Sequence, residues 1–307
     1  MDDRPLVSVV VTAYNYGRYV RAAVASVLAQ TYDNLEILVV DDGSTDDTPS
    51  ILAEYARAGR IRYLRQDNAG QARAKNRGIA ESRGRLVAFL DADDQWLPRK
   101  IEKQVPLFAD ARVGVVCSKR AIILADDSLF PNPPHTRLQR GDVLGPVFAR
   151  NFVPFSTAVV RRSCFDQVGV FDESLGMGID YDLWIRMAAR WHFDFVDEEL
   201  ALYRYGHGQM SRNVAKRVES NWRIIRKTLD DPALAGRIAR KYVRQAFAET
   251  LCVEAECKNA DGRKLAAAGR YLKAARAMPA RYQTWAALAK LFISQDLVTK
   301  CKNFGMS

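Results

Sequence analysis

Residues 85–94 read RLVAFLDADD. Five apolar residues follow Arg85 with no polar alternation, the pattern of a strand buried on both faces of a parallel sheet. Three aspartates then fall within four positions, where that strand must end. Working outward, VSVVVT (7–12) is a second such run, LEILVV (35–40) a third and IRYL (61–64) a short fourth. Between them lie helical patterns. Val20, Val24, Val27 and Leu28 recur at helical spacing over 17–30. Ser44, Thr45 and Asp46 offer N-caps for a helix carrying Ile51, Leu52 and Tyr55. A further helix is expected over 70–82, and Pro98 opens another that runs to about Phe108. Strand segments are also predicted at 113–116 and 158–160, with a loop at Pro131–Pro134 between them. Strands alternating with helices at this spacing give the fold class: α/β, a doubly wound, mostly parallel sheet with flanking helices.

In such a sheet the strands end at one edge, and ligands bind in the crevice outside those ends. Asp41-Asp42 follow one buried strand and Asp91, Asp93 and Asp94 another, so five carboxylates share a cleft with the loop Ala13-Tyr14-Asn15. Like charges this close repel unless a cation compensates. A divalent ion with hard oxygen ligands, Mn2+ or Mg2+, is the natural partner, and a nucleoside diphosphate would complete its shell. Asp46 and Asp47 read instead as turn or cap residues.

VSVVVTAYNYGRYV (7–20), VVDDGSTDDT (39–48), NAGQARAKNRGIA (68–80) and RLVAFLDADDQWLP (85–98) together resemble the family-2 glycosyltransferases of the GT-A fold. The resemblance covers roughly residues 5–105, with a second block at 154–212. It implies that Thr12, Ala13 and Tyr14, with Asn15 in the same loop, line a nucleobase pocket. Asp41 or Asp42 would accept the base N3–H, a donor common to uracil and thymine. Asn68, Gly70 and Lys75 would lie near the ribose and diphosphate, Lys75 standing where the family usually has Arg. Asp91, with Ala92, would face the ribose or the hydrated metal. Asp93 would bind the metal, with Asp94 assisting.

The second block is GMGIDYDLWIR (176–186). Asp180 matches the aspartate that serves such enzymes as catalytic base, while Ile179 stands where the family places Glu. Asp182 is the alternative base, or an acid favoured by the helix N-terminus. Trp184 is a core residue or a wall of the acceptor site. In YRYGHGQMS (203–211), Gly206 occupies the usual His place. His207 is then a candidate for the metal or diphosphate, and Arg204 for the diphosphate or acceptor. The implied reaction is transfer of a sugar from a nucleoside diphosphate, UDP- or dTDP-type, to an acceptor hydroxyl by metal-assisted single displacement with inversion. The acceptor would be a glycan or lipid-linked, as in cell-surface polysaccharide synthesis. Two alternatives stay open: a non-catalytic sugar-nucleotide binder and a nucleotidyltransferase. A dinucleotide oxidoreductase lacks its G-x-G-x-x-G after the first strand.

The 307-residue chain carries a net charge of +10. Residues 1–211 hold 26 Lys and Arg against 28 Asp and Glu, but residues 212–307 hold 20 against 8. This split suggests a GT-A domain at 1–212, with a nucleotide-binding half at about 1–110 and an acceptor-binding half at about 111–212. A basic region at 213–307 would follow, built of three or four amphipathic helices. Its charge points to an anionic partner, such as a membrane surface. No recognised nucleic-acid motif accompanies it, and no nucleic acid is expected. Five cysteines without C-x-x-C spacing and three histidines argue against zinc and fit a reducing cytosol. The start MDDRP shows no signal peptide, and no run of 18 apolar residues occurs. The expected location is cytoplasmic, peripheral at the inner face of the plasma membrane.

Overall fold

The computed structural model describes residues 4–130, 137–206 and 213–292. The chain divides into two compact units, residues 1–147 with 151–210, and residues 148–150 with 211–307. The first is a sheet of eight strands in the order β3-β2-β1-β4-β7-β6-β8-β5. These are β1 (Val7–Ala13), β2 (Leu35–Asp41), β3 (Arg62–Arg65), β4 (Leu86–Asp91), β5 (Gln95–Trp96), β6 (Val113–Ile123), β7 (Val159–Arg161) and β8 (His192–Arg204). β1 pairs in parallel with β2 on one side and β4 on the other, and β6 pairs in parallel with β8. β7 is inserted antiparallel between β4 and β6. This is the mixed, mostly parallel sheet of a GT-A fold, with helices α1 (Gly17–Leu28), α2 (Thr48–Arg57) and α3 (Gln71–Glu81) among its flanks.

The buried runs form the core because valines, leucines and phenylalanines stripped of water on both faces have no polar alternative to pack against. Val9, Val11, Val39, Ala88 and Leu90 are buried together with Val20, Val24 and Val27 of α1. α3 lies unusually close to β1, since a Cβ added at Gly78 would come within 2.3 Å of Val10 Cγ1. That approach brings Lys75, one turn earlier, to the edge of the sheet.

Three expectations need correction. The helix expected from Pro98 to Phe108 is a short α4 (Lys100–Gln104) followed by a 3-10 turn, Val105–Ala109, because Pro106 cannot extend the α-helical ladder. The strand at 113–116 continues to Ile123. β8, 13 residues long, went unseen: its charged DEE segment is solvent-facing, so it lacks a continuous apolar run. The Pro131–Pro134 loop lies outside the described residues.

Two short helices, α5 (Leu144–Ala149) and α6 (Ser163–Val168), precede α7 (Ile179–Ala188). The second unit is helical: α8 (Val214–Asp230), α9 (Pro232–Ala235), α10 (Arg240–Ala260), α11 (Lys264–Ala277) and α12 (Tyr282–Lys290). Ala255, Ala267, Ala268, Tyr271 and Leu291 form its small core, and Trp222 of α8 packs edge-on against Phe247 of α10. Glu254 on α10 receives Arg270 of α11 at 2.8 Å. Among the described residues no helix is long and apolar enough to cross a membrane.

Candidate active site

Parallel register assembles the site. Ala13 stands beside Asp41 and Thr12 beside Asp91, so both acidic strand ends flank the end of β1. The loop after β1 is stitched to the loop after β2. Ser44 Oγ accepts from the Asn15 backbone N–H at 2.9 Å, and Asn15 Oδ1 accepts from the Thr45 N–H at 2.8 Å. Asn15 takes the left-handed backbone (φ 56°) that this turn requires, a conformation Asn tolerates. Asp46 accepts from the Gly17 and Thr48 N–H groups, so it is the turn residue anticipated. The DGST segment is thus largely scaffold.

Asp41 and Asp42 are both buried. Asp41 accepts from the Ser44 N–H at 2.9 Å and the Tyr63 hydroxyl at 2.8 Å, spending both oxygens inside the protein. Asp42 Oδ2 holds the Gly70 N–H at 2.8 Å, while Oδ1 takes the Ala69 N–H and the Gln66 side-chain amide. Beside them opens a cavity of about 520 Å3 lined by Gly43, Arg65, Gln66, Asp67 and Asn68. Gly43 (φ 79°) has no room for a side chain, since a Cβ there would sit 2.7 Å from the Asn68 nitrogen. Tyr14, 46% exposed, projects from the neighbouring loop.

Lys75 is buried, donating to Thr12 Oγ1 at 3.0 Å and Asp91 Oδ1 at 2.8 Å with its ammonium 4.7 Å from the Phe155 ring centroid. It is thereby tied to the ends of β1 and β4, beside the acidic loop. Ala92 is buried, and its N–H closes onto the Thr12 carbonyl. Asp93 is 7% exposed, and burial followed by the charge of Asp91 pushes its carboxyl up to about 7. Tyr16, which the sequence reading passed over, hydrogen-bonds Asp93; burial, then Asp93 itself, raises its phenol above the ordinary value. Asp94 turns inward. One oxygen accepts from the Ser156 hydroxyl and the other from the Arg204 N–H at 2.9 Å, and burial followed by Asp93 and Asp91 raises its carboxyl well above the usual range. The expectation that Asp94 assists a metal is corrected: it clasps the loop to β8.

Arg204 is corrected likewise. Its guanidinium is buried, donating to the Asp93 carbonyl at 2.9 Å and the Leu124 carbonyl at 3.0 Å and pairing with Asp127 at 2.6 Å. So committed, it holds the acidic loop in place and is not open to an acceptor or diphosphate. His207 lies outside the described residues.

The donor set can be tested against a divalent ion. Among the described residues no group of three His, Cys, Asp or Glu stands close enough to hold a metal alone. Asp93 and Asp91 nevertheless supply hard oxygens. Burial, and then the neighbouring charge of Asp91, raise the Asp93 carboxyl, and a cation there would favour its charged form. The residues fit Mg2+ or Mn2+ with Asp93 as ligand and much of the shell supplied by a bound diphosphate.

Across the cleft, α7 begins after Gly178, whose left-handed backbone (φ 68°) turns the chain so that Asp180 enters the first helical turn. Asn151 donates to Asp180 Oδ2 at 2.8 Å. Burial raises the Asp180 carboxyl, and the charge of Asp91 adds to the rise. The field of Asp91 thus reaches Asp180, although 89 residues separate the two in sequence. Nothing in the sequence around Asn151 pointed to its role. Asp182 is buried against Arg186 at 2.8 Å, and Arg186 also caps the Val168 and Val170 carbonyls. This lock makes Asp182 a structural acid, correcting its candidacy as base. Trp184 is fully buried between Phe155 and Phe193, so it is core and not an acceptor wall.

A mostly parallel sheet with an acidic loop after β4 and Asp180 across from it has the GT-A architecture. Residues 8–169 match the model for glycosyl transferase family 2, and the chain belongs to that family. A glycosyltransferase of Rickettsia prowazekii is 34% identical over 216 residues, covering 69% of this chain and 67% of its own. In a Rickettsia felis relative, 31% identical, the match takes in 36% of the protein's length. TuaG of Bacillus subtilis, named for teichuronic acid biosynthesis, is 29% identical over 73% of this chain and 88% of its own. In fold the chain is similar to S. aureus TarS 1-349 in complex with UDP-GlcNAc (TM-score 0.64, 17% identity, 89% of this chain and 82% of that one). It is also similar to the mannosyltransferase PcManGT of Pyrobaculum calidifontis with GDP-Man and Mn2+ (TM-score 0.60, 20% identity, 94% and 85%).

Proposed function

We propose that the chain transfers a sugar from a UDP- or dTDP-type donor to an acceptor hydroxyl, with inversion at the anomeric carbon. The observation that carries this reading is the partly buried Asp180, steadied by Asn151 and lying in the field of Asp91. Its carboxyl, raised toward neutrality, suits a general base better than an ordinary aspartate. One oxygen stays on the Asn151 amide while the other takes the proton from the acceptor hydroxyl. The acceptor oxygen bonds to the anomeric carbon as the bond to the diphosphate oxygen breaks, and the electron pair leaves on the diphosphate. A Mg2+ or Mn2+ ion on Asp93 would supply neutralisation of that leaving charge. Lys75 keeps Asp91 in place, and Arg204 and Ser156 keep the loop from swinging out.

The base fits the cavity beside Gly43 and Asn68, with Tyr14 as its stacking surface. Its N3–H would replace the Gln66 amide on Asp42 Oδ1, since that amide is the one side-chain donor there and backbone N–H groups hold the rest. Asp41, its oxygens taken up by Ser44 and Tyr63, serves as support. Residues 1–212 carry this chemistry in our reading, and the basic 213–307 attaches the enzyme to an anionic lipid surface on the cytoplasmic side, where a lipid-linked or glycan acceptor is met. The relation to TuaG supports an acceptor of the cell-surface polysaccharide class.

Asp180→Asn tests the reading. Binding of UDP- and dTDP-sugars with Mn2+, followed by thermal shift, should be unchanged, while transfer to acceptor falls by about 10² or more. Near-normal turnover would remove Asp180 from the role. Intact donor binding with no transfer by the parent chain to any acceptor in a glycan and lipid-linked panel would favour a sugar-nucleotide binder.

A further inference from the structure

We infer that α11 and α12 form a lipid-facing surface, with Tyr282, Trp285 and Phe292 seated in the headgroup region of an anionic bilayer. The inference rests on the lipid attachment proposed above and names the face responsible. Nine large apolar residues are exposed among the described residues, and five of them, Leu265, Leu272, Tyr282, Trp285 and Phe292, fall between 265 and 292. Such concentration is not the scatter of single surface hydrophobics.

Helix α12 is apolar on two sides. Its inner side, with Thr284 and Leu291 buried, packs toward the Ala255–Tyr271 core. Tyr282 (71% exposed), Trp285 (46%) and Ala289 recur at intervals of three and four, so they share a second, outward side, and Phe292 (62%) is exposed in the turn that follows, its N–H donating to the Ala289 carbonyl at 3.1 Å. The Trp285 indole N–H donates to the Pro279 carbonyl at 2.9 Å. Its one polar atom is thus satisfied and the ring is held in place, leaving an exposed apolar body for another medium. On α11, Leu265 and Leu272 lie seven residues apart and share an exposed face.

Charge selects the occupant. From Lys264 to Lys290 the chain carries six cations and no carboxylate. Arg270 and Arg281 pair with Glu254 and Glu249 of α10, whereas Lys264, Lys273, Arg276 and Lys290 are exposed. A second copy would bring like charges face to face. An anionic bilayer accepts the cations at its phosphates and the rings and leucines at the acyl boundary, where amphipathic aromatic rings prefer to sit. This differs from a purely electrostatic attachment through α8, whose apolar residues Ile224 and Ile225 are buried.

The test is co-sedimentation of the full chain with vesicles of phosphatidylglycerol and phosphatidylcholine, against phosphatidylcholine alone. Two variants are compared: Tyr282→Ser/Trp285→Ser/Phe292→Ser, and Lys216→Gln/Arg223→Gln/Arg226→Gln on α8. The aromatic variant should lose about tenfold or more in partition, the α8 variant only a few-fold. Both should keep the parent's circular dichroism. Brominated lipid should quench part of the parent's tryptophan fluorescence, and that part should vanish in Trp285→Phe. If the α8 variant loses binding and the aromatic variant keeps it, this face is wrong although lipid attachment stands. If the parent binds no anionic vesicle, both fall. A parent dimer made monomeric by the aromatic substitutions would assign the face to a second copy and overturn the inference.

Discussion

Replacing Asp93 by Asn should make the empty protein more stable and the loaded protein impossible to form. In the folded chain burial, and then the charge of Asp91, push the Asp93 carboxyl up to about 7 from the ordinary 3.8. A carboxyl raised on folding binds its proton more tightly in the native state, so stability falls as pH rises between the two values. The loss is small near pH 4 and complete above about pH 7. Roughly three pH units at about 1.4 kcal/mol each set a ceiling of about 4 kcal/mol. Coupling to Asp91 and Asp94 spreads that penalty over several groups, so about 2–4 kcal/mol is expected from the single substitution. The assay is urea unfolding in EDTA at pH 4 and pH 8, parent against variant. Fluorescence from Trp96, Trp184 and Trp191 of the first unit would report it. Asp93→Asn should gain about 2–4 kcal/mol at pH 8 and under about 1 kcal/mol at pH 4, and Mn2+ with UDP-sugar should stabilise the parent alone. A variant no more stable than the parent at pH 8, or a gain independent of pH, would refute the argument that uncompensated charge is stored at this residue. Unchanged metal dependence of nucleotide binding would refute its assignment as ligand.

Asp182→Ala should cost about 2–4 kcal/mol, because it strips the buried partner from Arg186, with little change in the pH profile of turnover. Lost turnover at unchanged stability would return Asp182 to the chemistry. Trp184→Phe should cost about 1–2 kcal/mol at most, since the indole N–H has no partner among the described residues, whereas Trp184→Ala should cost about 3–5 kcal/mol. A changed acceptor KM in Trp184→Phe, with stability unchanged, would show that the ring meets the acceptor after all.

Much was determined by the sequence alone. Buried parallel strands need unbroken apolar runs, and VSVVVT, LEILVV and RLVAFL are such runs, so the β1, β2 and β4 part of the sheet and the edge bearing Asp41, Asp42, Asp91 and Asp93 could be read directly. Asp180 stood out as a candidate because a motif marks it, and the basic character of 213–307 was legible because charge is additive along a chain. Which carboxylate faces out was decided only by the tertiary structure. Asp93 and Asp94 are adjacent and chemically identical, yet Ser156 and the β8 backbone claim Asp94 from 62 and 110 residues away. Arg204 looked like a ligand contact and proved to be a buried strut, because Leu124 and Asp127 arrive beside it through the β6–β8 pairing. β8 itself is stabilised by its neighbours, while its own residues, half of them polar, state no clear preference. Residue type and spacing settle what a local segment can be. The desolvation and partner of each charge depend on contacts between segments far apart in the chain, and these exist only once the sheet has closed.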